Sequence, residues 1–237
     1  MEFRPARSRR SIGAAADRSA KEADMTNGEA GPWHREVIQG STEAAMRDLQ
    51  DASLLDQFYL AGGTGLALQL GHRRSHDLDF FAGDLFNEEI LIQRVQKIES
   101  FMLTTKAPHT IHAAIRGTKV TFLGYTYPLL FPTVHFLGIA IADPRDIACM
   151  KISAIASRGT KRDFVDLYAS AKRFGLADLF RLFERKYEQA RYQKIHLLKS
   201  LAFFEDAEKD PMPHMLVPLD WNEVKMFFLR ERPHIQF

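Results

Sequence analysis

The sequence predicts an α/β protein of the α+β kind, a mixed sheet with flanking helices followed by a helical C-terminal half. Three observations predict it. Short apolar segments of strand character lie between residues 58 and 141, broken by Gly, Asp, Asn and Pro turns. From Asp143 onward apolar residues recur at helical spacing, in segments ended by helix stops such as Gly175. Upstream of these helices the stretch Tyr59 to Phe81, YLAGGTGLALQLGHRRSHDLDFF, joins a glycine turn at a helix start to two carboxylates in strand spacing.

The first element is a buried strand over Phe58 to Ala61, apolar and aromatic, running into Gly62-Gly63. Thr64 is expected to cap the next helix, which carries Leu66, Ala67, Leu68 and Leu70 and is closed by Gly71. Gly62, Gly63 and Thr64 then stand at a helix N-terminus with amides directed outward, an arrangement that attracts phosphate. The basic turn His72-Arg73-Arg74 and Ser75 leads to a second strand over His76 to Phe81. Asp77 and Asp79 are two residues apart in it and project from one face. Two hard oxygen ligands at that spacing suit Mg²⁺, which takes its other ligands from water and substrate phosphates. This is the chemistry of metal-assisted nucleotidyl transfer. An Asp-x-Asp pair is also a common feature of a solvated edge; the succession of strand, Gly-Gly-Thr, helix, basic turn and acidic strand favours the site.

Between the two halves the pattern predicts a helix over Asn87 to Lys97 and strands over Phe101 to Lys106, Thr110 to Ile115, Lys119 to Tyr125 and Gly138 to Ile141. The helix from Pro144 to Ser157, capped by Asp143, carries Ile147, Met150, Ala154 and Ile155 as an apolar stripe. Lys151 lies inside the stripe, so its stem is buried and its ammonium must meet an anion or snorkel to solvent. A phosphate-binding lysine is the functional reading. Arg158-Gly159-Thr160 separates this helix from the next, Lys161 to Phe174, on which Asp163 and Asp166 share a face. Three residues on a helix turn through roughly 300°, so the two carboxylates look into one cleft. Thr160-x-x-Asp163 is equally a capping-box variant, and Asp166 could pair with Arg162 or Lys151. Further helices are expected over Leu176 to Ala190, Ile195 to Phe204 and Trp221 to Leu229, the last capped by Asp220.

At these residues the chain resembles the AbiEii/AbiGii nucleotidyltransferase-like toxins, within the DNA polymerase β-like nucleotidyltransferase superfamily. The first block is Tyr59 to Phe81; the second is Asp146 to Tyr168, DIACMKISAIASRGTKRDFVDLY. The resemblance covers most of the chain from about Trp33. It implies a toxin of a toxin–antitoxin or phage-resistance module that moves an NMP from an NTP to an acceptor, tRNA or another RNA, with a cognate antitoxin as protein partner. It also implies Lys151 as the nucleotide-phosphate lysine and Asp163 as an active-site residue. One departure is visible: the superfamily commonly draws a third carboxylate from a later strand, and the counterpart here, Lys119 to Tyr125, contains no acid. Either Asp163 or Asp166 completes the set, or transfer is slow or lost.

Composition bounds the rest. The chain has 237 residues, 46% of them hydrophobic, and no apolar run of membrane-spanning length. Its single cysteine, Cys149, excludes an intrachain disulfide and fits a reducing cytoplasm, and no secretory leader is apparent. A net charge of +2 does not by itself argue for nucleic acid. A pair His72-x-x-x-His76 straddles a turn and is a poor zinc pair. Residues 1–30, rich in Arg, Ala and Ser, are expected to be disordered, with Met25 as an alternative start; 31–143 form the α/β core and 144–237 the helical region that completes the cleft. The expected roles are Gly62, Gly63, Thr64, Ser75, Arg74, Lys151 and Lys161 for the nucleotide, Asp77 and Asp79 for Mg²⁺, and Asp77, Asp79, Lys151, Asp163 and Asp166 for catalysis. Two other readings keep parts of this: a small-molecule acceptor, as in antibiotic-modifying enzymes, and a non-catalytic nucleotide-binding module.

Overall fold

The computed structural model describes residues 33–235, so the arm expected over 1–30, with Met25, lies outside them. A 3-10 turn at Arg35–Val37 leads to α1 (Gly40–Asp51), which turns Ala45, Met46 and Leu49 inward. Then come β1 (Tyr59–Leu60), α2 (Gly62–Leu70) and β2 (Leu78–Ala82). α3 (Glu88–Val95) follows, its N-terminus capped by the Asn87 side chain, which accepts from Ile90 N at 3.0 Å. The remaining strands are β3 (Phe101–Ala107), β4 (Thr110–Ile115), β5 (Thr118–Gly124), β6 (Val134–Phe136) and β7 (Ile139–Ile141).

These strands make one mixed sheet in the order β3-β4-β5-β2-β1-β7-β6. β2 lies antiparallel to β1 and parallel to β5, with Leu78 opposite Val120 and Asp79 opposite Thr121. Alternation along β2 sends Leu78, Phe80 and Ala82 to one face and Asp79 and Phe81 to the other. The first face is the core: Phe80 stacks on Phe122 with ring centroids 5.5 Å apart, packed with residues of α1 and α3. Burying each such ring contributes roughly 2 to 3 kcal/mol, enough to fix the register of β2 and so the face on which Asp79 emerges.

After β7 the chain is helical: α4 (Pro144–Ser157), α5 (Lys161–Phe174), α6 (Leu176–Lys186), α7 (Lys194–Ser200), α8 (Glu205–Lys209) and α9 (Trp221–Glu231). These helices build a second core around Phe164, Phe180 and Phe228. The loop at 128–131 is pinned to α4 by a buried ion pair: Lys186 Nζ donates to Asp146 Oδ1 at 2.7 Å and to the Pro128 carbonyl at 2.6 Å. The Asp146 carboxylate also accepts from the Leu130 and Phe131 amides.

Several expectations are corrected. Strand β6 was not anticipated, and β1 is confined to two residues. The expected helix over 195–204 is shorter and ends at Ser200, and α8 beyond it was not anticipated. Thr64 does not cap α2: the helix begins at Gly62 behind Ala61, three residues earlier than expected, and Gly62 adopts φ +62° at that turn.

Candidate active site

The N-terminus of α2 and the strand β2 are brought together by Thr64. Its hydroxyl, in the first turn of the helix, donates to the Asp77 carbonyl and shares a hydrogen bond with the Ser75 hydroxyl at 2.9 Å. The first helical bond runs from Gly65 N to Ala61 O, so the amides of Gly62, Gly63 and Thr64 precede it. Space at this end is tight. A Cβ on Gly62 would lie 2.5 Å from Asp79 Oδ2, and one on Gly63 would lie 2.3 Å from an Arg73 guanidinium nitrogen and 3.1 Å from Ser75 Oγ. Both glycines therefore admit the carboxylate, the guanidinium and the hydroxyl to the helix end.

Asp79 is half-buried on the sheet face away from the core, and Asp77, also half-buried, lies just before β2, outside the strand expected to hold it, and close enough for its charge to act on Asp79. Burial pushes the Asp79 carboxyl above the usual carboxylate range, the positive charge of Lys151 pulls it back and the nearby Asp77 raises it further. The neighbouring strand offers Thr121 opposite Asp79, and Thr121 reaches His112 of β4 at 3.3 Å. No acid stands there, as the sequence indicated. Among the described residues no group of three or more His, Cys, Asp or Glu is placed to hold a metal ion.

The helical half supplies a closed ionic cluster. Lys151 of α4 is buried, with Nζ 3.0 Å from Asp163 Oδ1 and 2.7 Å from Asp166 Oδ2. It does not snorkel. Asp163 also accepts from Arg158 Nε at 2.8 Å and from the Thr160 hydroxyl at 2.7 Å. Thr160 makes no side-chain cap bond, so the capping-box reading is overturned: its hydroxyl serves the Asp163 carboxylate instead. Asp166 accepts from Arg73 Nε at 2.6 Å, from Arg73 Nη2 at 2.9 Å and from His72 Nε2 at 2.8 Å. Burial opposes the charge on both acids, but Lys151 and Arg158 hold Asp163 at about 2, and Arg73 with Lys151 holds Asp166 well below the usual range. The same balance of burial and Asp166 and Asp163 charge leaves Lys151 raised, so it stays an ammonium ion.

The two arginines of the basic turn point to opposite sides. Along an extended segment alternate side chains point in opposite directions; Arg73 and Ser75 face α2, while Arg74 is exposed. Lys161 is displaced in the same manner. Two residues along a helix differ by roughly 200°, so Lys161 turns from Asp163 toward Asp210, donating from Nζ to its carbonyl at 2.6 Å, and lies over the Trp221 ring. His72 and His76 do not converge: His72 is buried on Asp166 and His76 is exposed. His72 and Arg73 were legible only as members of the basic turn, and Arg158 only as part of the break between α4 and α5.

Comparison with known proteins gives the family of the chain. The family model described as nucleotidyl transferase AbiEii toxin of type IV toxin–antitoxin systems matches residues 44–132 and 124–237. An uncharacterised protein of Aquifex aeolicus (strain VF5) is 36% identical over 193 residues, covering 79% of this chain and 92% of its own. Among solved structures, MenT4, a nucleotidyltransferase toxin of Mycobacterium tuberculosis, superposes with a TM-score of 0.51 at 14% identity, over 84% of this chain and 87% of that one. JHP933 of Helicobacter pylori superposes with a TM-score of 0.50 at 19% identity, over 83% and 92%. The likeness to MenT4 shows the nucleotidyltransferase-like fold. The chain is a transferase, and it belongs to the AbiEii nucleotidyl transferase toxin family of type IV toxin–antitoxin systems.

Proposed function

We infer that this protein transfers an NMP from a nucleoside triphosphate to an RNA acceptor, tRNA being the leading candidate, with Mg²⁺ at Asp77 and Asp79. The observation that carries the reading is the meeting of Asp79 with the N-terminus of α2 and the Arg73 guanidinium at Gly62-Gly63. Phosphate is favoured at that helix end by unpaired amides and by the helix dipole. The carboxylates fit the ion: Mg²⁺ is held by one or two carboxylates with phosphates and water, and a cation would relieve the repulsion between Asp77 and Asp79 that now raises Asp79. When bound, it supplies charge neutralisation at the transferring phosphoryl group and lowers the pKa of the acceptor hydroxyl.

The chain's own groups do the rest. Gly62, Gly63 and Thr64 orient the phosphates with their amides, and Ser75 holds Thr64 in place. Arg158, two-thirds exposed at its side chain, and the Lys151 cluster present positive charge toward Asp79. Asp163 and Asp166 hold Lys151, and Asp166 also holds Arg73, so these acids act as positioning residues in this reading. The toxin–antitoxin family implies a cognate antitoxin and a nucleotide substrate; cytoplasmic residence and a role in phage resistance are proposed with it. No helix among the described residues is long and apolar enough to cross a membrane.

The test is transfer of label from each α-³²P nucleotide to total cellular RNA, with Mg²⁺ or a chelator, for the wild type and Asp79→Ala. Label on RNA that requires Mg²⁺ and vanishes in the variant is the expected result. Label that persists in Asp79→Ala would remove the metal carboxylates from the reading, and label found only on small molecules would move the acceptor to that class.

A further inference from the structure

The far end of α2 borders a cavity. It has a volume of about 430 Å³, and its apolar wall includes Leu70, Met215 and Val217. Helix α2 has nine residues, so its C-terminal Leu70 is removed from Gly62 by about 12 Å along the axis. The cavity and the phosphate-binding end thus occupy opposite ends of one short helix. A volume of this size accommodates a small organic molecule.

Its charge is net positive, two cations against one carboxylate. Lys172 and Arg173 of α5 line it and are exposed, and among the described residues neither forms an ion pair with a carboxylate. They lie instead near aromatic rings, Lys172 at 6.0 Å from the Tyr168 centroid and Arg173 at 5.5 Å from that of Phe174. The acid on this wall, Glu223, is engaged by the Tyr168 hydroxyl. An apolar wall with unpaired cations beside it suits an anion with a hydrophobic body.

The wall also contains His72. Asp166 remains ionised, so His72 Nε2 carries the proton that is shared with it at 2.8 Å. The other ring nitrogen, Nδ1, is buried and has no partner among the described residues. The ring is therefore held from one side only, by the carboxylate that also anchors Arg73 and Lys151. Displacing His72 from the cavity side would act directly on that carboxylate.

We propose that this cavity is a regulatory site for a small anion with an apolar, aromatic or branched aliphatic body, and that its occupancy is transmitted through His72 and Asp166 to Arg73 and Lys151. The site itself is independent of the transfer reading; its effect on rate rests on that reading.

The test uses 8-anilinonaphthalene-1-sulfonate, an aromatic anion, titrated by fluorescence into the full chain. The expected result is saturation at one site in the wild type and in Asp79→Ala. Affinity should fall by about tenfold or more in Ala169→Trp, which fills the cavity, and in Lys172→Glu/Arg173→Glu, which reverses charge on exposed residues and spares the fold. Equal binding by all four proteins would overturn the site. Saturating probe should change nucleotidyl transfer in the wild type and leave Ala169→Trp unaffected; an unchanged wild-type rate would overturn the relay. Should no transfer be found with any nucleotide, the binding titration still decides the cavity.

Discussion

Arg73 and Asp166, ninety-three positions apart in sequence, meet in a two-pronged buried ion pair: Arg73 Nε lies 2.6 Å from Asp166 Oδ1 and Arg73 Nη2 lies 2.9 Å from Asp166 Oδ2. The pair ties the turn after α2 to the middle of α5, and so joins the glycine-lined helix end to the lysine-bearing half. A planar guanidinium can grip both oxygens, whereas an ammonium grips as a point charge.

Arg73→Lys should accordingly cost more than a conservative change on the surface. Loss of one prong at a buried carboxylate is expected to destabilise by about 1 to 3 kcal/mol, and Arg73→Ala, which leaves Asp166 short of a counter-charge, by about 3 to 5 kcal/mol. Denaturant unfolding midpoints measure both. An Arg73→Ala protein as stable as the wild type would mean that Lys151 and His72 suffice for Asp166.

Gly62→Ala tests the close approach at the helix end. Gly62 has φ +62°, and an added Cβ would lie 2.5 Å from Asp79 Oδ2. The backbone strain is about 1 kcal/mol, and Asp79 must move aside. Transfer should fall by at least about tenfold while the fold persists, read by single-turnover label transfer alongside circular dichroism. Undiminished transfer would show that Asp79 need not sit against this turn.

Asp163 gives the protein an acid limit. Burial alone would raise its carboxyl, but Lys151 and Arg158 bring it to about 2, below its ordinary 3.8. The folded protein holds this group ionised where the unfolded chain would bind a proton, so its stabilisation is complete above about pH 4 and is lost as the pH falls toward 2. The contribution is about 2 kcal/mol. Acid unfolding followed from pH 5 to pH 2 should show a steep loss of stability, and Asp163→Asn should flatten that slope. An equally steep loss in the variant would assign the acid sensitivity to Asp166 or another carboxylate.

Cys149 should be inert in the folded state. It is fully buried in α4 beside the Leu179 carbonyl, and burial pushes its thiol up to about 12, with the Asp146 charge adding to the shift. The thiolate is the reactive form, so a thiol-specific reagent at pH 8 should label it only as fast as the protein opens. Rapid labelling without denaturant would mean that α4 and α6 separate readily.

The sequence by itself determined the kinds of most elements and their order, and it brought the Gly-Gly turn, the acidic strand and the Lys151 helix forward as candidates. Its glycine stops, its Asp143-Pro144 helix start and the apolar stripe around Lys151 are local signals, each readable within a few residues because turns, caps and helix faces depend on near neighbours. Helices α4 and α5 accordingly begin and end where that pattern places them. Only the tertiary structure decided which charges meet. That Arg73 and not Arg74 reaches Asp166, that Lys161 turns to Asp210 and that both acids of α5 clamp Lys151 follow from the direction each side chain takes once strand and helix are packed. Ion pairs between residues so far apart leave no periodicity in sequence; they are set by the packing of α2 against α4 and α5, where burial makes every unpaired charge costly enough to find a partner.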